Sequence, residues 1–269
     1  MNEHRDIANR TVVDLSVEYF PGMPYIPATP AFHYGLTREH GDHVLSDGVS
    51  SASDQVVMHL HSGTHIDAIC HSAVHGKLFT GLDAKASQNK WHGFKVHSVE
   101  TIEPIVRRGI LLDVPRLLGL PALEPGTEID SALLERTREA QGVEIRAGDV
   151  VLIRTGEIQR WPSRDYYDAS KGGISGINLD AARYLSSRKV FLVGSDNYAI
   201  EHIPPPKNGA RASAMPVHGH LIAGCGIFLL EVMNLEELSD RQVYEFGFIA
   251  LPLRIRGATG SPVRPIALF

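Results

Sequence analysis

The sequence predicts an α/β fold built on a mixed sheet, and three observations carry that reading. Runs rich in β-branched residues recur along the chain, and helical segments fall between some of them. The N-terminal third holds several such runs without an intervening helix, which argues against a purely parallel, doubly wound sheet. No repeat, low-complexity tract or long linker divides the 269 residues, so a single domain over 1–269 is the simplest count.

Strand-like runs occur at Thr11 to Val17, Gln55 to Leu60, Gly109 to Val114, Asp149 to Arg154, Val190 to Val193 and Phe246 to Leu253. Between the first two lies FPGMPYIPATPAF, whose 4 prolines cannot donate to a ladder, so it reads as a long loop able to arch over a site. Asp130 is placed to N-cap a helix in which Leu133, Leu134 and Thr137 share a face, and Gly142 supplies its stop. Asp180 is likewise read as the cap of a helix over Ala181 to Arg188, followed directly by the apolar strand VFLVG.

Composition narrows the function. A hydrophobic fraction of 43% supports an ordinary core. The net charge of -5 comes from interspersed charges, with no basic run longer than Arg107-Arg108, so nucleic acid and anionic membranes are excluded as partners and a small molecule is expected. No stretch approaches the roughly 20 apolar residues that span a bilayer, and MNEHRDIANR is too polar for a signal peptide. A cytoplasmic location follows as the expectation. The 2 cysteines, Cys70 and Cys225, are too few for a thiolate zinc site, so any metal must rely on nitrogen and oxygen ligands.

The 14 histidines are many for this length and crowd between His59 and His97. The densest run is His61-Ser-Gly-Thr-His65-Ile-Asp67-Ala-Ile-Cys-His71. Neutral imidazole and carboxylate suit Zn²⁺ or Mn²⁺, and His61, His65 and Asp67 together leave positions open for water, whose pKa a bound ion lowers. Gly63 allows the sharp turn that convergence of the flanking histidines needs, so the motif is placed at a strand end and the loop beyond it. His71 is the candidate general acid/base, because imidazole titrates near neutrality. Any one of these histidines alone is more often structural than a ligand; their density together with Asp67 favours a metal site. Far downstream, MPVHGHLIAGCGIFLLEVMNLEEL carries His218 and Glu231 on either side of an apolar run. Spacing leaves His220 as an alternative to His218, and Glu231 as an alternative solvated charge.

The pattern HxGTHxDxxxH, with VVDLS, GDVVLIRTG, His218 before GIFLLE and NL, and the segment LPLRIRGATGSPVRPIALF, resembles the cyclase family of metal-dependent hydrolases, which includes bacterial kynurenine formamidase and isatin hydrolase. The resemblance implies a mixed-sheet swivelling β/β/α fold. It implies that His61, His65 and Asp67 bind a first metal and that His71 transfers protons. A second metal, as in formamidase-like members, would be bridged by Asp67 and held by His218 and Glu231, whereas isatin-hydrolase-like members use a single manganese. One or two ions of Zn²⁺ or Mn²⁺ per chain and a homodimer or homotetramer are therefore expected. Two departures stand out: Ile69 occupies a position commonly proline, and the segment from His75 to Val114 is longer than in compact formamidases.

The expected reaction is hydrolysis of a carbon–nitrogen bond in an amide, formamide or cyclic lactam. An ester or lactone hydrolase, or a non-catalytic metal-binding protein, is the alternative. A serine hydrolase is disfavoured, since no G-x-S-x-G elbow is present. Phe20, Tyr25 and Phe32 on the proline-rich loop are expected to cover an aromatic or cyclic amide, and Asp196, Asn197 and Tyr198, after the strand VFLVGS, to line the pocket.

Overall fold

In a computed structural model that describes residues 9–206 and 214–269, the strands in chain order are β1 (Val12–Asp14), β2 (His33–Arg38), β3 (Ser53–Val57), β4 (His65–Asp67), β5 (Gln88–Asn89), β6 (Gly93–Phe94), β7 (Ile105–Asp113), β8 (Glu128–Ile129), β9 (Val150–Arg154), β10 (Gly176–Ile177), β11 (Leu192–Ser195), β12 (Phe228–Glu231), β13 (Glu245–Ala250), β14 (Gly260–Pro262) and β15 (Ile266–Leu268). A 9-stranded mixed sheet has the order β1-β15-β13-β7-β9-β11-β12-β4-β14. Its middle, β7-β9-β11-β12, is parallel, and antiparallel strands extend it on both sides.

Period-two alternation explains why the middle strands are buried on both faces. Ile110, Leu112, Val151, Ile153, Val193 and Leu229 face one core, which the helices Ser131–Gln141 and Leu179–Ser187 cover with Leu134, Ala181, Ala182 and Leu185. Their neighbours Leu111, Val150, Leu152, Leu192 and Leu230 face a second core, which Val13, Leu15, Ile66, Phe246 and Phe248 fill from the curled flanks of the same sheet. The expected α/β mixed architecture is present, and no helix among the described residues is long and apolar enough to cross a membrane.

Several boundaries move, for local reasons. The run at Gln55 to Leu60 does not lead into the central sheet: β3 ends at Val57 and pairs only with β2 in an exposed hairpin. β7 begins at Ile105, before the predicted Gly109, because the exposed Val106 and Arg107 and the charged, half-buried Arg108 hide its start from a pattern based on apolar residues. The strand foreseen at Phe246 to Leu253 ends at Ala250, ahead of Pro252. The stretch FPGMPYIPATPAF contains no strand, as its prolines require.

Asp130 caps its helix as expected, accepting a 2.8 Å hydrogen bond from the Leu133 amide, and Gly142 ends it at φ 65. The next helix starts earlier than predicted. Its cap is Asn178, which accepts from the Ala181 amide at 3.0 Å, while Asp180 lies in the first turn and accepts from the Ser131 amide at the head of the neighbouring helix. Asn178 holds the extended backbone of a cap, so its side chain reaches back over the open turn.

These two helices are tied together by Glu135, which accepts from Arg138 at 2.7 Å, from Arg188 at 3.3 Å and from the Tyr184 hydroxyl. Arg138 and then Tyr184 hold its carboxyl down to about 2 from the ordinary 4.5. A depressed carboxyl contributes stability that is complete above its unfolded pKa and is lost as pH falls through the folded value. Thermal melts should therefore show stability declining from about pH 4.5 towards pH 2. The Glu135→Gln protein should show a flatter decline, and superimposable profiles would remove Glu135 as the cause.

Candidate metal centre

The site is built on β4, which runs antiparallel between β12 and β14. Alternation puts His65 and Asp67 on one face and sends Ile66 into the second core. Glu231 pairs directly opposite His65 across the ladder, so its carboxylate shares that face, with Oε2 3.4 Å from His65 Nε2. Gly260 pairs opposite Asp67, and a Cβ there would come within 2.7 Å of the His61 ring.

Gly63, at φ 58, turns the chain so that His61 folds back, its Nδ1 2.6 Å from Asp67 Oδ1 and its Nε2 2.9 Å from the Thr259 hydroxyl. The Gly63 carbonyl accepts from His65 Nδ1 at 2.8 Å, which fixes the tautomer and leaves Nε2 with its lone pair facing the site. Thr64 pins the turn from behind: its hydroxyl accepts from the Val17 amide and donates to the Val232 carbonyl at 2.6 Å. Only His65–Asp67 form a strand, with His61 to Thr64 in the turn before it and His71 on a short 3₁₀ turn after it, a correction to the expected place of the motif at the end of the preceding strand and the loop beyond it.

His71 follows on a short 3₁₀ turn, stacked on His61 with ring centroids 4.1 Å apart, and its Nε2 is 3.8 Å from Asp67 Oδ2. Far along the chain, His218 ends a short helix led by Pro216, and the chain then returns through β12 to Glu231. His218 Nε2 lies 3.3 Å from Glu231 Oε1 and 3.8 Å from Asp67 Oδ2. Its orientation is set by Glu201, whose Oε1 accepts from both the His218 amide and Nδ1, each at 2.8 Å. His220, the alternative from spacing, points elsewhere and meets Ser186 at 2.8 Å.

Three buried polar atoms in this cluster, His65 Nε2, Asp67 Oδ2 and Glu231 Oε1, have no hydrogen-bond partner. Orphaned carboxylate oxygens beside an orphaned imidazole lone pair are costly without a cation and are matched by one. Two donor sets meet ligand spacing, His61-His65-Asp67 and Asp67-His71-His218, with the donor atoms of each set within 4.8 Å of one another. Two nitrogens and one oxygen in each set suit a borderline divalent ion.

Burial and the charges within the cluster set the protonation of each group. Burial pushes His65 down to about 3, so its ring is neutral, as a ligand must be. Burial, together with the nearby Asp67 charge, raises Glu231 to about 7. Burial works against ionisation of Asp67 too, but His71 and His61 outweigh it and hold the carboxyl below its usual range. Burial also lowers His71, to about 4, whereas Glu201 and Glu231 overcome it at His218 and raise that ring to about 10, so a proton there supplies positive charge that a cation would displace on binding.

The cluster forms the floor of a cavity of about 460 Å³ whose walls include Ile26, Tyr167, Tyr198, Ile203 and Met215. Of the expected lining, Tyr198 reaches the cavity, while Phe20 and Tyr25 lie outside it and Ile26 takes their place from the same loop. Asp196 and Asn197 are fully engaged in holding backbone. Asp196 accepts from the Thr155 and Gly156 amides at 2.8 and 2.7 Å, and Asn197 accepts from the Ile200 amide at 2.6 Å and donates to the Ser175 carbonyl. Sequence reasoning missed Glu201, Tyr167 and Thr259. Only Glu201, three residues after Tyr198 in the same crevice-facing stretch, carried a local signal.

Comparison with known proteins places this geometry. The Cyclase family model matches residues 13–202. Kynurenine formamidase from Geobacillus thermodenitrificans is 27% identical over 252 residues, covering 94% of each chain. Isatin hydrolase from Roseibium aggregatum is 28% identical over 268 residues, covering 96% of this chain and 91% of its own. Among solved structures, one described as a novel cyclase superposes with a TM-score of 0.86 at 27% identity, over 98% of this chain and 88% of that one. An isatin hydrolase bound to the product analogue thioisatinate superposes with a TM-score of 0.73 at 25% identity, over 97% and 93% of the two chains. With the HxGTHxDxxxH residues gathered on and around β4 and a family match over most of its length, the chain belongs to the cyclase family.

Proposed function

We propose that the protein is a metal-dependent hydrolase that cleaves a carbon–nitrogen bond of an amide, formamide or cyclic lactam. The observation that carries this reading is the set of unpartnered buried donor atoms on His65, Asp67 and Glu231 at the floor of an open cavity. A closed structural ion would not need a cavity of substrate size above it. The naming of two relatives of near-complete coverage as kynurenine formamidase and isatin hydrolase supports the same bond class.

His61, His65 and Asp67 would hold one ion, and Asp67 with His218 and Glu231 a second, Glu231 taking the place that spacing also offers to His71; Zn²⁺ and Mn²⁺ are the metals these donors suit. A divalent cation there supplies Lewis acidity, lowering the pKa of water and polarising a carbonyl. The rest falls to the chain. His71, with 32% of its side chain exposed, borders the cavity beside Asp67 and is the group free to take a proton from the attacking water and return it to the departing nitrogen. Tyr167, Tyr198, Ile26 and Met215 offer an apolar and aromatic wall, which fits an aromatic or cyclic amide.

We place the protein in the cytoplasm, consistent with Cys70 and Cys225 both being free thiols. We also propose that it works as a homodimer or homotetramer. The hairpin β2–β3 supports this: Tyr34, Leu36, Val56 and Val57 are each at least half exposed, and an unsupported two-stranded hairpin is marginal in water.

Elemental analysis and assay of Zn²⁺- and Mn²⁺-reconstituted enzyme against N-formylkynurenine, isatin and formanilide test the main reading; absence of metal-dependent turnover on all such amides would refute it. The Asp67→Asn protein should lose metal and activity together, whereas full occupancy with unaltered turnover would contradict its assignment as a ligand. By contrast, His71→Ala should keep its metal while turnover falls by about 10²- to 10⁴-fold. Loss of stoichiometric metal from a folded His71→Ala protein would instead make His71 a ligand. For the assembly, Leu36→Glu with Val56→Glu should shift the molar mass in light scattering to that of a monomer, and an unshifted oligomer would rule out the hairpin as the contact.

A further inference from the structure

Tyr167 forms part of the aromatic wall above the metal-ligand cluster. Its ring stands edge-on to Tyr166 at 5.1 Å and rests against Tyr198 at 5.1 Å, so its position is fixed by packing on two sides. The residue is only 6% exposed, yet its hydroxyl proton meets no acceptor. A buried hydroxyl without a partner bears the full desolvation cost of the group, so such an atom calls for an explanation.

The neighbouring tyrosines sharpen the contrast. Tyr166 donates to the Asp196 carbonyl at 2.5 Å, and Tyr19 donates to the Thr64 carbonyl. Both serve to hold backbone. Tyr167 alone of these three keeps its proton available, and it lines the same cavity as His65, His71, His218 and Glu231.

Its oxygen faces the backbone amide of Gly63, the turn that carries His61 and His65, and lies within electrostatic reach of Glu231. A ligand atom that met this hydroxyl would therefore sit next to the donor set itself and not at the cavity mouth. Burial raises the pKa of the phenol above its ordinary value, so at neutral pH it remains a proton donor and never a phenolate.

We infer that the Tyr167 hydroxyl is a catalytic hydrogen-bond donor to the acyl oxygen of the amide substrate. This deepens the hydrolase reading and rests on it. When water adds to the carbonyl carbon, the carbon–oxygen π pair moves onto oxygen. A fixed neutral donor at that oxygen stabilises the growing negative charge more than it stabilises the planar amide. Collapse of the tetrahedral species re-forms the carbonyl and expels the nitrogen, which leaves with a proton supplied elsewhere, so Tyr167 keeps its own proton throughout the cycle.

The test is Tyr167→Phe, which removes one oxygen and leaves the packed ring. In metal-reconstituted enzyme with formanilides of graded leaving-group basicity, kcat should fall by about 10- to 100-fold while KM changes by less than about threefold. The factor should be the same across the series, since the acyl oxygen is common to all members. Metal stoichiometry should be unchanged and the melting temperature equal or higher, because an unpartnered buried hydroxyl has been removed. Unchanged kcat would overturn the proposal while leaving the hydrolase reading intact. A loss that grows with leaving-group basicity would move the donor to the nitrogen and overturn it likewise. Lost metal or a lowered melting temperature would make Tyr167 structural. A wild-type holoenzyme inert towards every formanilide would instead fail the underlying reading, and the proposal with it.

Discussion

Everything at this site turns on the burial of the Asp67 carboxylate, 1% exposed, within reach of His61, His65, His71 and His218. An ionised carboxylate so deep in the protein is tolerated only where positive charge or hydrogen bonds compensate it. His61 meets one oxygen directly; the other has no partner within the fold. Glu231 repeats the situation across one ladder pair, and the two acids raise each other's cost. The fold thus concentrates negative charge and lone pairs around a point that a cation can occupy, and the surrounding strands exist in positions that keep that concentration in place.

The scaffold achieves this by using two kinds of strand pairing for two purposes. The parallel strands β7, β9, β11 and β12 form the rigid centre, apolar on both faces. The short antiparallel strands β4 and β14 are added to its edge, and antiparallel pairing sets side chains of adjacent strands opposite one another, which is how His65 and Glu231 meet. Glu201 then orients His218 from a segment that the Asn197 side chain holds, so a residue whose sequence position suggested ligand contact contributes at one remove.

What could be read from the sequence follows the range of the interactions concerned. His61, His65, Asp67 and His71 fall within one short run, and Asp130 and Gly142 bracket their helix by local chemistry, so pattern reasoning reached them. His218 and Glu231 came through family resemblance, because their spacing alone does not distinguish a ligand from a surface charge. Tyr167 and Thr259 enter the site through tertiary packing, which leaves no local trace, and Glu201 is marked only by its nearness to Tyr198. The hairpin at Ser53–Val57 has a genuine strand pattern, but which sheet a strand joins is decided by distant partners. Asp196 and Asn197 sit at the strand end where a ligand crevice is common, but their polar atoms are taken up by the adjoining backbone.

The contact between His61 and Thr259 spans 198 positions of sequence, and β14, which follows Thr259 directly, carries Gly260 against the same ring. Contacts of such separation require closure of most of the chain's length and are among the slowest to form. A polypeptide still emerging from the ribosome through its central strands thus carries the first histidines without the strand that backs them. The backing of His61 by Thr259 and Gly260 is therefore complete only once the C-terminal strands are in place.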